Sequence, residues 1–147
     1  MILGVDTNVL IYAHLPWQPA HELVRRYLTD KLADPDVTLA VTPTILHEFV
    51  HVITDPRRFD PPVTMSEALA IARLYVNRSN VACLAIDEQV VSDAFRLLER
   101  HGFGRKRIAD TLLVATWQCN GVRDFLTCDT RHFAAFEDLN VIDPREA

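Results

Sequence analysis

The chain runs Ile2-Leu3-Gly4-Val5 straight into Asp6-Thr7-Asn8, and this stretch narrows the available folds more than any other. A short apolar run bounded by polar residues fits a buried strand, although periodicity alone does not separate it from a helix. Read as a strand, it ends at Asp6. Thr7-Asn8 then offers capping chemistry for a helix through Val9, Leu10, Ile11 and Tyr12. An acid at the carboxyl end of a central strand falls in the crevice where open α/β sheets bind ligands. Asp6 is therefore a candidate metal ligand.

The rest of the chain alternates in the same way. Pro19 to Lys31 reads as a helix with the apolar stripe Leu23, Val24, Tyr27 and Leu28, and Val37 to Val41 as a strand. Thr42 can cap the next helix, with Pro43 at its first position, and Ile45, Leu46, Phe49, Val50 and Ile53 as its buried side. That helix ends before Asp55-Pro56, since a residue preceding proline is biased away from the α region. A loop with Pro56, Pro61 and Pro62 leads to a helix from Ser66 to about Asn77, and Val81 to Ile86 reads as a strand. Asp87 can cap a helix burying Val90, Val91, Ala94, Phe95 and Leu98, which Gly102 and Gly104 end. Arg105 to Asn120 is expected to be helical, with Gly121 just past its end. Asp124 to Thr127 reads as a strand, His132 to Phe136 as a short element and Val141-Ile142 as a last strand. Strands separated by helices imply an α/β fold with a parallel sheet and right-handed crossovers.

A length of 147 residues suits one domain, residues 1–147. With 49% of residues apolar the chain can build a core, yet no apolar run approaches the roughly 20 residues that span a bilayer. No basic stretch precedes the first apolar run, so a signal peptide is not expected, and neither is a membrane association. Cys83, Cys119 and Cys128 are odd in number and widely spaced, as expected of reduced thiols in the cytoplasm. The net charge of -5 argues against broad adhesion to nucleic acid. It leaves room for a nuclease whose acidic site is negative until a cation reverses the local field.

Four acids stand where such an architecture can gather them. Asp6 ends the first strand, Glu48 lies off the apolar stripe of its helix, Asp110 lies near a helix start, and Asp129 follows the strand Phe125-Leu126-Thr127. Hard cations such as Mg2+ and Mn2+ favour carboxylate oxygens and retained waters. Three or four carboxylates together repel one another without metal, which raises some of their pKa values. With metal they can activate water and stabilise the leaving oxygen of a phosphodiester.

The order Asp6-Thr7-Asn8, Glu48, Asp110-Thr111-Leu112-Leu113-Val114-Ala115, and Leu126-Thr127-Cys128-Asp129 followed by Phe133 resembles the PIN-domain family over essentially the whole chain. The compact size resembles its VapC-type toxins of bacterial and archaeal toxin–antitoxin pairs. The resemblance implies a Mg2+- or Mn2+-dependent endoribonuclease that leaves a 5′-phosphate and a 3′-hydroxyl and serves as the toxin of a type II system. It further implies a twisted parallel β-sheet flanked by helices in three α/β/α layers, a homodimer and inhibition by a small antitoxin. By position, Asp6, Glu48, Asp110 and Asp129 would be the metal-holding and catalytic residues. Thr7, Asn8 and Thr127 would stand behind them or face a phosphate. The position before Phe133, often acidic in this family, is His132 here. Asp129 is thus the fourth carboxylate, and Asp124 the fallback.

A rival motif sits on the same helix. His47-Glu48-Phe49-Val50-His51 matches the H-E-x-x-H of zinc metalloproteases, but the available third histidines, His101 and His132, lack a recognisable context. The blander reading is that His47 and His51 are partly exposed on a helix rim. A catalytically idle RNA- or protein-binding module is a third reading, disfavoured by four intact acids. Basic residues cluster at Arg57-Arg58, at Arg105-Lys106-Arg107 before Asp110, and at Arg123 and Arg131 around Asp129. Arg105, Lys106, Arg107 and Arg131 are the candidates for holding RNA phosphates. Trp117 is expected in the core, whereas Trp17 is undetermined.

Overall fold

The computed structural model describes residues 1–147. Five strands form one parallel sheet in the order β3-β2-β1-β4-β5. They are β1 (Ile2–Val5), β2 (Thr38–Val41), β3 (Val81–Cys83), β4 (Asp124–Leu126) and β5 (Asn140–Ile142). The helices are α1 (Thr7–His14), α2 (His21–Ala33), α3 (Pro43–Ile53), α4 (Met65–Asn77), α5 (Glu88–His101) and α6 (Ile108–Cys119). Helix α1 packs on both α2 and α3, α3 packs on α4, and α5 packs on α6. Right-handed crossovers place these two groups on opposite faces of the sheet.

The topology fixes where a site can form. From β1 the chain moves outward through β2 to β3, then returns to the other side of β1 as β4. The strand order therefore reverses between β1 and β4, and their carboxyl ends open a crevice. Register brings Val5 beside Leu126, and the Asp6 amide donates to the Leu126 carbonyl at 2.9 Å. Asp6 and the residues after Leu126 consequently leave the sheet side by side.

The central strands are buried on both faces, as parallel strands under two helical layers must be. Leu3, Val5, Leu39, Ala40, Val41, Phe125 and Leu126 are shut away from solvent. Trp117 of α6 lies over Gly4, where an added Cβ would come within 2.9 Å of the indole. Only a glycine lets this ring reach the central strand. Helix α1 is capped by Asp6 and not by Thr7 or Asn8, which lie within it; other helix ends follow their sequence signals. The Thr42 hydroxyl caps α3 by accepting from the Ile45 amide, and Asp87 and Thr64 cap α5 and α4 in the same manner. Gly102 and Gly121 adopt left-handed φ values of 63° and 67° after α5 and α6.

Several expectations are corrected. The third strand is only Val81–Cys83: Cys83 pairs with Val41, the last residue of β2, the Leu84 amide still donates to the Val41 carbonyl at 2.8 Å, and the chain then leaves the sheet. Residues 105–107 form a separate 3-10 turn before α6, without a side-chain cap. A second 3-10 turn covers Thr130–Phe133. On α2, Leu23 faces solvent while Val24 and Leu28 are buried. On α3, Val52 is buried and Val50 only partly so. On α5 the buried line is Val90, Ala94 and Leu97, so Val91 and Leu98 flank it and Phe95 is 59% exposed. Trp117 is fully buried, in line with its expected place in the core, and Trp17, undetermined from the sequence, is exposed.

Candidate active site

Four elements deliver the four acids to one cleft of about 360 Å3. Asp6 comes from the end of β1, Glu48 from the middle of α3, Asp110 from the first turn of α6 and Asp129 from the loop after β4. All four line the same cavity with Thr7, Asn8 and the apolar side chains Ile11, Ile45, Val52, Leu112 and Leu113. Asp124 is not among them. It opens β4 at the amino end of the strands, opposite the cleft, where Asn140 Nδ2 donates to it at 2.7 Å.

Asp6 is held by neutral donors. Its Oδ1 accepts from the Thr7 amide at 2.8 Å, and its Oδ2 accepts from the Thr127 hydroxyl at 2.7 Å. The Thr127 side chain is fully buried and also accepts from the Asp129 amide at 3.0 Å. One hydroxyl thus fixes both Asp6 and the backbone that carries Asp129. Asn8 adds a second link across the crevice, its Oδ1 accepting from the Cys128 amide at 3.0 Å. The Thr7 hydroxyl donates to Glu48 Oε2 at 3.1 Å, which aims Glu48 into the cleft. Thr7, Asn8 and Thr127 therefore stand behind the carboxylates.

Asp110 and Asp129 meet basic side chains instead. His132 Nδ1 lies 3.0 Å from Asp129 Oδ2 and 3.6 Å from Asp110 Oδ2. Arg107 Nε lies 3.1 Å from Asp110 Oδ2, but off the line of a good hydrogen bond. The same guanidinium donates to the His132 carbonyl and sits over the Phe103 ring.

Burial pushes the Asp6 carboxyl up to about 6, opposed by the Thr127 and Thr7 hydrogen bonds and reinforced by the charges of Glu48 and Asp110. Asp110 is also raised, again mainly by burial, with Arg107 and His132 pulling it back and Asp129 pushing it up. Mutually repelling acids in a partly dry cleft behave this way. Burial drives the Cys128 thiol to about 12, so it is a protonated packing group and not a nucleophile.

The donor set consists of hard oxygens, which suits Mg2+ or Mn2+. No three His, Cys, Asp or Glu side chains already converge as a metal-holding group. His47 and His51 are exposed. His47 lines a different, mainly apolar groove with Leu46, Val50, Leu69 and Val76, while Glu48 turns toward Asp6. The three side chains of the zinc motif therefore do not address one point.

The proposed basic contacts fare unevenly. Arg107 is engaged by Asp110 and the His132 carbonyl. Arg105, Lys106 and Arg131 are exposed but do not line the cleft, whereas Arg58 does. Nothing in the local sequence marks Arg58 over Arg57; the path of the loop after α3 decides it.

The PIN domain family model matches residues 4–139, and the chain belongs to that family. It is 27% identical over 143 residues to Ribonuclease VapC24 of Mycobacterium tuberculosis, with 97% of each chain covered. Its fold is similar to that of Mycobacterium tuberculosis VapC20, described as a sarcin-ricin loop cleaving toxin, with a TM-score of 0.71 at 18% identity over 91% of this chain and 95% of that one. It is also similar to a chain of a toxin–antitoxin complex from Klebsiella pneumoniae, with a TM-score of 0.62 at 15% identity and 97% of both chains covered.

Proposed function

We propose that the protein is a Mg2+- or Mn2+-dependent endoribonuclease, the toxin of a type II toxin–antitoxin pair. The observation that carries this reading is the delivery of Asp6, Glu48, Asp110 and Asp129 into one cleft by four separate elements at the switch point of the sheet. The names of its relatives supply the substrate class. These carboxylates would hold the cation, and Thr7, Asn8 and Thr127 would orient them. When bound, such an ion polarises a phosphoryl oxygen and makes water a better nucleophile at neutral pH. The protein's own contribution is a partly dry cleft, acids aimed inward, and an Asp6 whose raised pKa favours charge-balancing by a cation.

A small antitoxin and a second copy of the chain are the proposed protein partners. The Klebsiella relative occurs in such a complex. Exposed apolar residues, Leu74 and Val76 on α4 and Phe95 on α5, give partners surfaces to cover. No helix is long and apolar enough to cross a membrane, in keeping with the proposed cytoplasmic site of action.

The test is direct. Purified protein is expected to cut single-stranded RNA with Mn2+ or Mg2+, to stop on addition of EDTA and to recover when metal is restored. Cleavage that persists in EDTA would remove the metal from the mechanism. RNA left intact under every metal condition would overturn the ribonuclease reading.

A further inference from the structure

An acid-lined cleft has a difficulty with RNA. Even with a cation bound, the phosphates on either side of the cut approach negative walls, and a fixed positive group is needed beside them. The residues of the site leave one free. Arg107 is committed to Asp110 and the His132 carbonyl. Arg58 alone of the other basic residues lines the cavity that holds Asp6, Glu48, Asp110 and Asp129.

The loop that presents Arg58 is anchored while the guanidinium is not. Asp55 follows α3 and accepts from the Arg57 amide at 2.9 Å. It also accepts from Arg57 Nε and Nη2 at 3.2 and 3.3 Å. The Asp55 carbonyl takes the amides of Arg58 and Phe59, both at 3.1 Å. The Val63 amide returns to the Ile53 carbonyl at 2.9 Å, and Phe59 meets Trp17 edge to face at 6.0 Å. The backbone at Arg58 is thereby fixed against α3. Its side chain, by contrast, lies 4.0 Å from an Asp55 already satisfied by Arg57 and is 62% exposed. Two adjacent arginines thus have different roles. Arg57 closes the turn, and Arg58 overhangs the cleft with its donors unspent.

We propose that Arg58 is the residue that binds an RNA phosphate flanking the scissile bond, on the α3 side of the cleft. This rests on the ribonuclease reading and adds the side from which the strand is gripped. A guanidinium suits the task because its planar fork matches phosphate oxygens and its charge never titrates away.

Binding is measured by fluorescence anisotropy with a labelled single-stranded RNA and Mn2+, all in an Asp6→Asn background that is expected not to cut. Adding Arg58→Ala is expected to weaken binding about tenfold. It should also lower the slope of log affinity against log salt by about 0.7, the share of one phosphate on a single strand. Arg58→Lys keeps the charge and should keep the slope while losing part of the affinity. Arg100→Ala, which removes an equal charge at a separate cavity beside His101 and Gln118, should change neither. Equal affinity and slope for Arg58→Ala and its background would overturn the assignment. It would leave the ribonuclease reading standing if the native chain still cuts RNA. A native chain that neither binds nor cuts RNA overturns both.

Discussion

On the β1–β4 side of the cleft, Asp6 is fixed by a backbone amide and a buried hydroxyl, both uncharged. On the α6 side, Asp110 and Asp129 lean on His132 and Arg107, both able to carry positive charge. Neutral donors orient a carboxylate without cancelling its charge. Burial, which these two hydrogen bonds only partly offset, raises the Asp6 pKa, and that rise is the stability cost of keeping an uncompensated cation ligand. Charged partners do the reverse. They relieve repulsion in the metal-free protein and must share their acids when a cation arrives. One side of the site is preorganised, and the other is charge-compensated.

The largest effect should come from the preorganised side. Asp6→Asn is expected to reduce metal-dependent RNA cleavage by at least about a hundredfold, checked by single-turnover assays across a metal titration. The same variant tests the stability cost. The Asp6 pKa rises from 3.8 to about 6 on folding. Its contribution to stability is therefore full below the unfolded value and is lost as pH rises through about 6. In EDTA at pH 7.5, Asp6→Asn should be more stable than the native chain by about 2–3 kcal/mol. The gap should shrink as pH falls toward 4. Urea melts at several pH values read this directly, and a native chain that is the more stable at pH 7.5 would contradict the argument.

Thr127→Val comes next. It keeps the shape and removes the hydroxyl that bonds both Asp6 and the Asp129 amide. Losing a partner that orients a ligand typically costs 10–100-fold in metal affinity or activity, and about tenfold weaker Mn2+ binding by calorimetry is expected here. Saturating metal should recover most of the rate. Unchanged Mn2+ affinity would mean that Asp6 needs no orienting from β4.

How much of this was legible before the structure depended on whether a residue acts locally. Asp6, Thr42, Asp87 and Gly121 declare themselves because a strand end, a cap or a positive φ is decided within a few residues. The approach of Asp6, Glu48, Asp110 and Asp129 to one another follows from parallel α/β topology together with the family resemblance. Phe95 and Leu23 fit the apolar stripes of their helices yet face solvent, because apolar periodicity does not show which side of a broad apolar helix meets the sheet. Leu84 to Ile86 have strand composition but extend beyond the partner strand. Arg58 is the clearest loss. Its charge is plain in the sequence, but its place over the cleft depends on how the loop folds back on α3 and Trp17, a contact between residues far apart in sequence.

The smallest effect belongs to the compensated side. His132 is 53% exposed in its side chain and its two carboxylates are only partly buried, so the pair interactions are screened by water. Replacing it with Ala removes a competitor for Asp110 and Asp129 without removing a ligand. Mn2+ affinity should therefore rise, by less than about fivefold given the usual worth of exposed ion pairs. Cleavage at saturating metal should stay near the native rate. The direction matters more than the size. A weaker affinity in His132→Ala would show that the imidazole helps to hold the cation, and both sides of the cleft would then count as preorganised.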